Sequence, residues 1–533
     1  MTIQIYDSLT RTKRPLEPLE PGRVGMYVCG PTVYSDCHIG HLMGPIVFDT
    51  IARWLRARGL VVRFVINVTD IDDKIIRRAA DEGVEWNVVA ERYTEQYFAF
   101  LDELSVTTVT DNPYCTQHVG AMIAFIEDLL RAERAYVAGD GVYYEVRKQP
   151  GYGKLSGRKL DDTQAGARNV ERGLRDPADF ALWKLAKSGE PSWDSPWGAG
   201  RPGWHIECSA MSSALLGPAY DIHGGGDDLK FPHHENEIAQ SEAHGDDFAT
   251  LWMHHGLVQH GGKKISKSDP RMADETFARQ FQARWLVDTY GAPTLRLFLT
   301  RSSYRRPIDF EAKNLEGART GLLRLHRQFG ALLDEAGDPD LEAILARPVS
   351  AEIAALRQRF VEHMDDDFGT SEAVGALFSL ASHAKETAGD EADAALCMAR
   401  DLGRILGLFL AGDSARMERG GEATEAIARV VDALLALRGD ARQAKDFTTA
   451  DGLRDLLNTS GVELQDAGTA SSWQLAGAAS NELLAALVDG ALALRTEARA
   501  RKEFATADAI RTRLEAAGIQ ILDGPAGTTW TRA

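Results

Sequence analysis

The sequence contains few cysteines, no long apolar run and no excess of positive charge. Five widely spaced cysteines in 533 residues are too few for a disulfide framework, which indicates a reducing compartment. No apolar run is long enough to span a bilayer, and the first residues lack the apolar core of a signal peptide. A net charge of −18 argues against nucleic-acid binding over the whole surface, although it leaves room for a local basic surface. We therefore expect a cytoplasmic protein that does not associate with membranes.

The first third of the chain has the pattern of an α/β fold. Alternating apolar residues predict a strand in GRVGMYVCG, and IVFDTIARWLRARG has helical periodicity. LVVRFVINVTD is again rich in β-branched residues, and strand, helix and strand at this spacing are typical of a parallel βαβ unit. A Gly-Asp-Gly turn predicts a hairpin in AYVAGDGVYYEV. Residues 150–200 are rich in loop-forming residues, which predicts an insertion.

From about Leu315 the chain is almost wholly helical in pattern, and it ends in a duplication. Polar residues at 412–425 predict a linker. Residues 431–473 and 488–530 align without a gap at an offset of 57, and each ends in a tryptophan. Each copy is predicted to form two helices and a short strand. Two copies make a duplicated module rather than a solenoid array.

Two short motifs suit a nucleoside triphosphate. His38 and His41, with Gly40 between them, open the first predicted helix, where backbone N–H groups and the helix dipole favour an anion. Taken alone, this motif is more typical of two capping histidines. KKISKS follows a Gly-Gly pair and includes Lys264 and Lys267, which suit the neutralisation of a triphosphate. A basic loop alone is usually a solvated surface.

Four metal-binding side chains occur in three distant segments. Cys29 ends the first predicted strand, and Cys208 follows a second strand-like run, GWHIEC. A helix that begins at the proline of FPHHENEIAQ places His233 and Glu237 on one face, with His234 on another. Two thiolates, an imidazole and a carboxylate are good zinc ligands. From spacing alone, buried core cysteines remain the simpler interpretation.

Together and in this order, HIGH and KISKS resemble the two signatures of class I aminoacyl-tRNA synthetases. Within that class, the resemblance is to cysteinyl-tRNA synthetases, and it extends from the first residues to at least residue 473. The segments that carry it are YVCGPTVYSDCHIGH, NVTDIDDKI, GKLSGR, GWHIECSAM and HGGGDDLKFPHHENEIAQS. It implies activation of L-cysteine by ATP with Mg²⁺, transfer to tRNA(Cys), one Zn²⁺ per chain and a monomer. The zinc would bind the thiolate of the substrate cysteine. A zinc–thiolate bond discriminates between cysteine and serine better than a contact with the wall of a binding pocket does.

The resemblance also implies roles for individual residues. The zinc ligands are the residues that match Cys29, Cys208, His233 and Glu237. The catalytic residues match His38, His41, Lys264 and Lys267, and ATP is contacted by Gly40, His38, His41 and Lys267. Thr69, Trp204 and His223 match residues around the substrate, although each also suits a purely structural role. Cys37, Cys115 and Cys397 match no ligand position, and we expect them to be structural.

The fold implied is an α/β Rossmann-type catalytic domain with an inserted connective region, followed by an all-α bundle and small α+β C-terminal modules. We expect a catalytic domain in two halves, 1–110 and 199–257, around a connective region, 111–198. The remaining domains are a KMSKS-loop junction (258–313), a helical bundle (314–411), an anticodon-binding-like module (426–473) and its duplicate (480–533).

Two features depart from the family pattern. Gly44-Pro45 is expected to interrupt the helix that follows the histidines. The tail has two modules where one is usual, and only the second keeps the closing segment GPAGTTWTR. The second copy is also more basic, which favours it as the tRNA contact; its basic residues are Arg495, Arg499, Arg501, Lys502, Arg511 and Arg513.

Two other functions share these motifs. One is the related ligase of mycothiol synthesis, which joins activated cysteine to an amino sugar and should lack a tRNA-binding tail. The other is a non-catalytic paralogue that binds tRNA. Intact HIGH and KISKS motifs argue against the paralogue, and the long helical tail favours tRNA over an amino sugar.

Overall fold

A computed structural model describes residues 2–160, 174–264, 269–334, 340–410, 413–444, 446–467, 470–475, 481–524 and 527–532. The chain folds as two compact units. One comprises Met1–Ala278, Arg296–Phe310 and Gly321–Ala411, and the other comprises Arg279–Leu295, Glu311–Thr320 and Gly412–Ala533. Among the described residues, no helix combines the length and the apolar character needed to cross a membrane.

Strands and helices alternate over the first half of the chain, as the sequence predicts for an α/β fold. The elements are β1 (Gln4–Asp7), β2 (Thr12–Pro15), β3 (Arg23–Val28), α1 (Ile39–Ala57), β4 (Val61–Ile66), α2 (Asp73–Glu82), α3 (Trp86–Glu103), α4 (Val119–Arg131), β5 (Ala135–Ala138), β6 (Gly141–Tyr144), β7 (Phe180–Leu185), β8 (Gly200–Pro202), α5 (Trp204–Leu216), β9 (Ala219–Gly226), α6 (Glu235–His244), β10 (Phe248–His255), β11 (Val258–His260), β12 (Lys263–Lys264) and α7 (Glu275–Arg279).

The main sheet is parallel, in the order β10-β9-β3-β4. β3 pairs with β4 on one side and with β9 on the other, where Val28 lies opposite Gly224. Because β4 follows β3 on one side and β9 lies on the other, the strand order reverses between β3 and β9. Ligands of such sheets bind beyond the carboxyl ends of the strands at this reversal. Cys29 follows β3 at that point.

Helix α1 runs without a break from Ile39 to Ala57, with Pro45 inside it. The expected interruption at Gly44-Pro45 is therefore wrong. Pro45 lacks a backbone N–H, so the helix has one hydrogen bond fewer at this turn. A Cβ on Gly44 would lie 3.2 Å from His255 Nε2, and a Cβ on Gly224 would lie 2.3 Å from the Phe48 ring, so both glycines permit close contact with β9 and β10.

A buried ion pair anchors the middle of α1. Asp49 is fully buried and accepts from Arg53 (2.7 Å) and from Arg296, which is 1% exposed. Burial raises the pKa of Asp49, but the Arg296 and Arg53 guanidinium groups outweigh it and lower that pKa. The Arg296 guanidinium also donates to the carbonyls of Leu104 and Leu406, so one cation joins three segments of the first unit.

The predicted hairpin is present as β5 and β6, and it extends into a second, antiparallel sheet in the order β5-β6-β7-β8. The segment GWHIEC is helical, because α5 begins at Trp204 directly after β8. Cys208 therefore lies within a helix, and its predicted position after a strand is wrong. All residues from His205 to Ser212 are buried, so this helix lacks the polar face that would have distinguished it from a buried strand.

Helices dominate from about Leu315 on, as predicted, and the helices before that point are followed by a short strand that pairs in parallel with β11. The elements are α8 (Ala283–Tyr290), α9 (Ala292–Thr300), β13 (Ile308–Asp309), α10 (Ala312–Phe329), α11 (Leu341–Ala346), α12 (Ala351–Asp365), α13 (Thr370–Glu386) and α14 (Asp390–Ile405).

The duplicated tail forms two copies of the same structure. The elements are α15 (Asp413–Gln443), α16 (Phe447–Thr459), β14 (Val462–Ala467), β15 (Ala470–Leu475), α17 (Asn481–Ala500), α18 (Phe504–Ala516), β16 (Ile519–Gly524) and β17 (Gly527–Arg532).

Two expectations for the tail are wrong. The polar segment predicted as a linker is helical from Asp413. Helix α15 begins before the apolar pattern, which marks only the C-terminal part of this helix. Each copy ends in an antiparallel hairpin rather than in one strand, since the closing segment folds back on the strand before it.

The duplication itself is confirmed by equivalent contacts. The Trp473 indole donates to Asp432 (2.8 Å), and the Trp530 indole donates to Asp489 (2.7 Å). Both members of the second pair lie 57 residues after those of the first, which is the offset of the repeat.

The two copies pack on each other reciprocally. α15 contacts its equivalent, α17, while α15 contacts α18 and α16 contacts α17. Such reciprocity is the arrangement of a two-fold, isologous interface, here within one chain. One hydrophobic core includes residues of both copies, among them Leu434, Leu453, Leu487 and Ile510.

We expect Gly490→Val to destabilise the tail by about 1–3 kcal/mol, because overpacking in a core costs about that much. A Cβ on Gly490 would lie 2.2 Å from Leu456 Cδ1 in the other copy. Gly439→Val is the matched control, since Gly439 lies in the first helix of the other copy with open space at its Cβ. Hydrogen exchange of the α16 and α17 amides measures the difference. Equal effects of the two substitutions would contradict the close packing.

Candidate metal centre and nucleotide site

Four predicted ligand side chains converge at the reversal point of the parallel sheet. The donor atoms of Cys29, Cys208, His233 and Glu237 all lie within 4.8 Å of one another. Cys29 Sγ is 3.5 Å from Cys208 Sγ and 3.4 Å from Glu237 Oε1. His233 Nε2 is 3.5 Å from Cys208 Sγ and 3.0 Å from Glu237 Oε1. The structure thus brings together residues from the end of β3, from α5 and from the turn into α6.

A second set of four donors shares two of these residues. His223 and His234 join Cys29 and Glu237, again with donor atoms within 4.8 Å of one another. The predicted placement of His234 on another face is wrong, because His234 Nε2 lies 4.0 Å from Glu237 Oε1. The i, i+3 spacing of His234 and Glu237 was the sequence signal for this contact. The set with Cys208 has two thiolates, which suits zinc better than the set with one.

Each histidine near the centre is held by a contact through its Nδ1. His233 Nδ1 is 2.9 Å from His205 Nδ1, His223 Nδ1 is 2.7 Å from the Tyr220 hydroxyl, and His234 Nδ1 is 2.8 Å from His254 Nε2. Such contacts direct Nε2 toward the centre, as the outer partners of metal-binding histidines do. Sequence reasoning missed these partners, because each contact depends on the fold.

The lowered pKa of one buried thiol and an unsatisfied carboxyl oxygen in the cluster both suit a cation. Burial and the adjacent Cys208 raise the pKa of the Cys29 thiol. Burial also acts to raise the pKa of Cys208, but the Cys29 thiol and the His233 ring lower it to about 7. Glu237 Oε2 is buried without a hydrogen-bond partner among the described residues, with His223 Nε2 at 3.3 Å. Unsatisfied lone pairs in a buried site are costly, so this donor set fits a zinc ion.

The three predicted substrate residues surround this centre. The Trp204 ring stacks on His233 at 4.2 Å, and Trp204 remains 37% exposed. His223 is fully buried, with Nε2 at 3.4 Å from Cys29 Sγ. Thr69 follows β4 and is 2% exposed. Trp204 and His223 contact candidate ligands, and Thr69 bonds Glu207, which directly precedes Cys208.

Thr69 belongs to a buried hydrogen-bond network that sequence reasoning missed. Its hydroxyl donates to Glu207 Oε2 (2.9 Å) and accepts from Asn67 Nδ2 (3.3 Å). The Cys115 thiol donates to the same Glu207 oxygen (3.0 Å). Gly30 N–H donates to Asn67 Oδ1 (2.8 Å). Apart from Asn67 and Thr69, these residues lie far apart in sequence, so no local pattern links them.

The two signature histidines cap α1. His38 Nδ1 accepts from Gly40 N–H (3.1 Å), His41 Nδ1 accepts from His38 N–H (3.2 Å), and the two rings stack at 3.8 Å. Because both Nδ1 atoms accept, the proton of each neutral ring is on Nε2, which is then a donor. The capping role and an anion-binding role are therefore compatible.

Lys264 lies on β12, paired with Gln259 of β11. Lys267 lies outside the described residues, so its predicted role stays a prediction.

Most basic residues of the second copy are engaged in ion pairs. Arg495 is buried and bonds Asp523 through both terminal nitrogens, and Arg511 bonds the same carboxylate. Arg513 bonds Asp440 of the first copy (3.0 Å), and Arg501 bonds Glu503 (2.9 Å). The basic excess of this copy is thus largely neutralised and no longer favours it over the first as a tRNA contact.

Comparison with known proteins agrees with this fold and site. A model of the tRNA synthetases class I (C) catalytic domain matches residues 15–320, and a DALR domain model matches residues 359–411. The fold and the first match define a class I aminoacyl-tRNA synthetase. The Cysteine--tRNA ligase of Chromobacterium violaceum is 44% identical over 478 residues, covering 89% of this chain and 100% of the relative. That of Alkalilimnicola ehrlichii is 46% identical over 479 residues, covering 89% and 99%. The chain belongs to the cysteine–tRNA ligase family.

Two further findings qualify the likeness. The match to the ligase of Chromobacterium violaceum covers 89% of this chain and the whole of that relative. The part of this chain outside the match is comparable in length with one tail copy. Among solved structures, the ternary complex of Agrobacterium radiobacter K84 AgnB2 LeuRS with tRNA and LeuAMS has a TM-score of 0.51 at 13% identity, covering 75% of this chain and 85% of that one. This likeness concerns the fold alone.

We predict that Cys208→Ser and His233→Asn lose zinc, because both residues belong to the set with two thiolates. His234→Asn should keep the metal, and Cys397→Ser, on α14, is the control for thiol loss away from the site. Metal analysis of each purified variant measures zinc per chain. Loss of zinc in His234→Asn with retention in His233→Asn would assign the metal to the second set instead.

Proposed function

We propose that this enzyme activates L-cysteine with ATP and transfers it to the 3′ end of tRNA(Cys). The observation that supports this most is the convergence of two cysteines, a histidine and a glutamate at the reversal point of a class I synthetase sheet. The relatives named above support cysteine as the amino acid and tRNA as the acceptor.

The candidate ligands Cys29, Cys208, His233 and Glu237 would hold one zinc ion. Zinc, when bound, supplies a soft Lewis acid that prefers the thiolate of cysteine to the hydroxyl of serine. The stacked Trp204 and His233 rings form one wall beside the centre, and the partly exposed indole faces solvent on its other side. His223, held by Tyr220, contacts the Cys29 sulfur.

The first turn of α1 would bind the phosphates of ATP. Its backbone N–H groups and the Nε2–H groups of His38 and His41 are donors to phosphoryl oxygens. Attack of the cysteine carboxylate on the α-phosphorus forms cysteinyl-adenylate and releases pyrophosphate, and negative charge develops on the phosphoryl oxygens. Lys264 and Lys267, with Mg²⁺ on the leaving pyrophosphate, would stabilise that charge.

Cysteine-dependent exchange of pyrophosphate into ATP tests the activation step, with serine as the competing amino acid. The acceptor is then tested with tRNA(Cys) and with amino sugars. Exchange followed by charging of tRNA supports the proposal. Exchange with transfer only to an amino sugar would assign the mycothiol-type ligase, and binding of tRNA without exchange would assign the non-catalytic paralogue.

We predict that Lys267→Ala slows adenylate formation by about 100-fold, as loss of a preorganised charge stabiliser does. Cysteine affinity should stay the same, because this lysine acts on the phosphates rather than on the amino acid. Single-turnover exchange kinetics and calorimetry measure the two quantities. Normal adenylate formation with weak cysteine binding would contradict the role.

We propose that the second tail copy contacts tRNA, on the basis of its closing segment GPAGTTWTR. Phe504 begins α18 and is 60% exposed, while its equivalent in the first copy, Phe447, begins α16 and is 63% exposed. Exposed aromatic rings stack on unpaired bases. Deletion of the second copy would uncover the shared core, so point variants are the cleaner test.

We predict that Phe504→Ala raises the KM for tRNA about tenfold, since one stacked base contributes about 1–3 kcal/mol. Pyrophosphate exchange should not change, because it requires no tRNA. Phe447→Ala is the matched control, and we expect it to leave both quantities near normal. The reverse pattern would assign the tRNA contact to the first copy.

A further inference from the structure

A cavity of about 530 Å³ lies between helix α2 and the antiparallel sheet β5-β6-β7-β8. One wall is a single face of α2, formed by the residues at positions i, i+3, i+4 and i+7 counted from Asp73. The other wall consists of side chains from the sheet and its loops. The lining contains four basic and three acidic side chains, and the proposed metal and nucleotide sites use none of them.

Four of these seven charges neutralise one another. The Asp73 carboxylate accepts from Lys184 Nζ (2.8 Å) and from Arg201. Arg201, which is only 7% exposed, also bonds Glu190 (2.8 Å). Burial acts to raise the pKa of Asp73, but Lys184 and Arg201 outweigh it and lower this pKa to about 2. Two cations and two carboxylates of the lining are therefore already joined to each other.

The remaining three charges are not balanced. Arg77 on α2 and Lys187 after β7 are exposed, and neither side chain has an ion-pair partner among the residues that the structure describes. Asp140, in the turn between β5 and β6, accepts from the Tyr143 hydroxyl (2.9 Å). Two unpaired cations and one unpaired carboxylate leave the cavity positive, in a chain whose overall charge is −18.

The size and charge of the cavity suit a phosphate group. A phosphate presents several oxygens and can accept from a guanidinium and from an ammonium group at the same time. Arg77 and Lys187 provide these two donors from opposite walls. The volume lies within the range of sites that bind small molecules.

The cavity is also near the proposed amino-acid site. Asp73 follows Thr69 by four residues, and Arg201 precedes Trp204 by three. Because consecutive Cα atoms are about 3.8 Å apart, these two pairs lie within about 15 Å and about 11 Å. In the proposed function the 3′ end of tRNA reaches the activated amino acid, so its backbone phosphates come close to the cavity.

We propose that this cavity is a phosphate site in which Arg77 and Lys187 bind the phosphate from opposite walls. A backbone phosphate of tRNA and a free phosphate compound share this chemistry, and the position of the cavity favours tRNA. The tRNA source rests on the proposed function, whereas the free compound does not depend on it.

The first arm of the test measures the Kd of the full chain for tRNA(Cys) at several salt concentrations. Arg77→Gln and Lys187→Gln should each raise this Kd by about three- to fivefold, the effect of one exposed ion contact. Each should also make the slope of log Kd against log salt shallower by about 0.7–0.9. Asp140→Asn should lower the Kd, because it removes a repelling charge and keeps an acceptor for Tyr143. Cysteine-dependent pyrophosphate exchange requires no tRNA and should not change in these variants.

Arg78→Gln is the matched control for a general loss of charge. It removes one positive charge from the adjacent position of α2, where Arg78 pairs with Glu82 rather than lining the cavity. We expect it to leave the Kd for tRNA near normal. Equal weakening of tRNA binding by Arg77→Gln and Arg78→Gln would overturn the assignment of tRNA to the cavity.

The second arm uses inorganic pyrophosphate as the probe for a free phosphate compound. Equilibrium dialysis counts the pyrophosphate bound per chain. Unchanged tRNA binding with one bound pyrophosphate fewer in Arg77→Gln and Lys187→Gln would assign the cavity to a free phosphate compound. If both variants match Arg78→Gln in tRNA binding and in bound pyrophosphate, the cavity is not a phosphate site.

A failure of the proposed function has a different result. In that case the unaltered chain would neither bind tRNA(Cys) nor support cysteine-dependent pyrophosphate exchange. The dialysis with pyrophosphate would still test the cavity, because it depends on neither reaction.

Discussion

The parallel pairing of β3 with β9 is the constraint on which the site depends. Cys29 N–H donates to the Gly224 carbonyl (3.1 Å), so the loop after β3 begins beside the end of β9, where His223 lies. Both chain segments then leave the sheet at the same edge, and α5 and the turn into α6 close over it. A metal-binding group assembled at a strand reversal needs no dedicated scaffold, because the open end of the sheet already provides a crevice.

Helix α1 connects this crevice to the proposed nucleotide site. Its first turn presents the signature histidines, and its middle is held by the Asp49–Arg296 pair within a buried set of hydrogen bonds. Removal of one partner from such a pair leaves an uncompensated buried charge, which lowers the stability of the folded protein by about 3–5 kcal/mol. This pair thus anchors the middle of the helix, whose first turn is the proposed phosphate-binding end.

Local periodicity predicted much of this arrangement. The βαβ unit, Cys29 at a strand end and the i, i+4 pair of His233 and Glu237 all follow from periods of 2 and 3.6. Cys208 was misplaced because its helix is buried on all sides and shows no polar face. His234 was misplaced because a helix brings the i, i+3 neighbour of Glu237, as well as its i, i+4 neighbour, to the same face. The contacts of Glu207 could not be predicted, since its partners lie 92 and 138 residues away.

The shared core of the tail has an evolutionary consequence. A duplicated segment that lay apart from its parent could be lost again by a single deletion. Here each copy covers apolar side chains of the other, so a deletion would expose them to water and favour aggregation. The duplication is therefore a step that is hard to reverse. The outward surfaces of the two copies, which take no part in the shared core, stay free to diverge, and one can acquire a new ligand while the other keeps the old one.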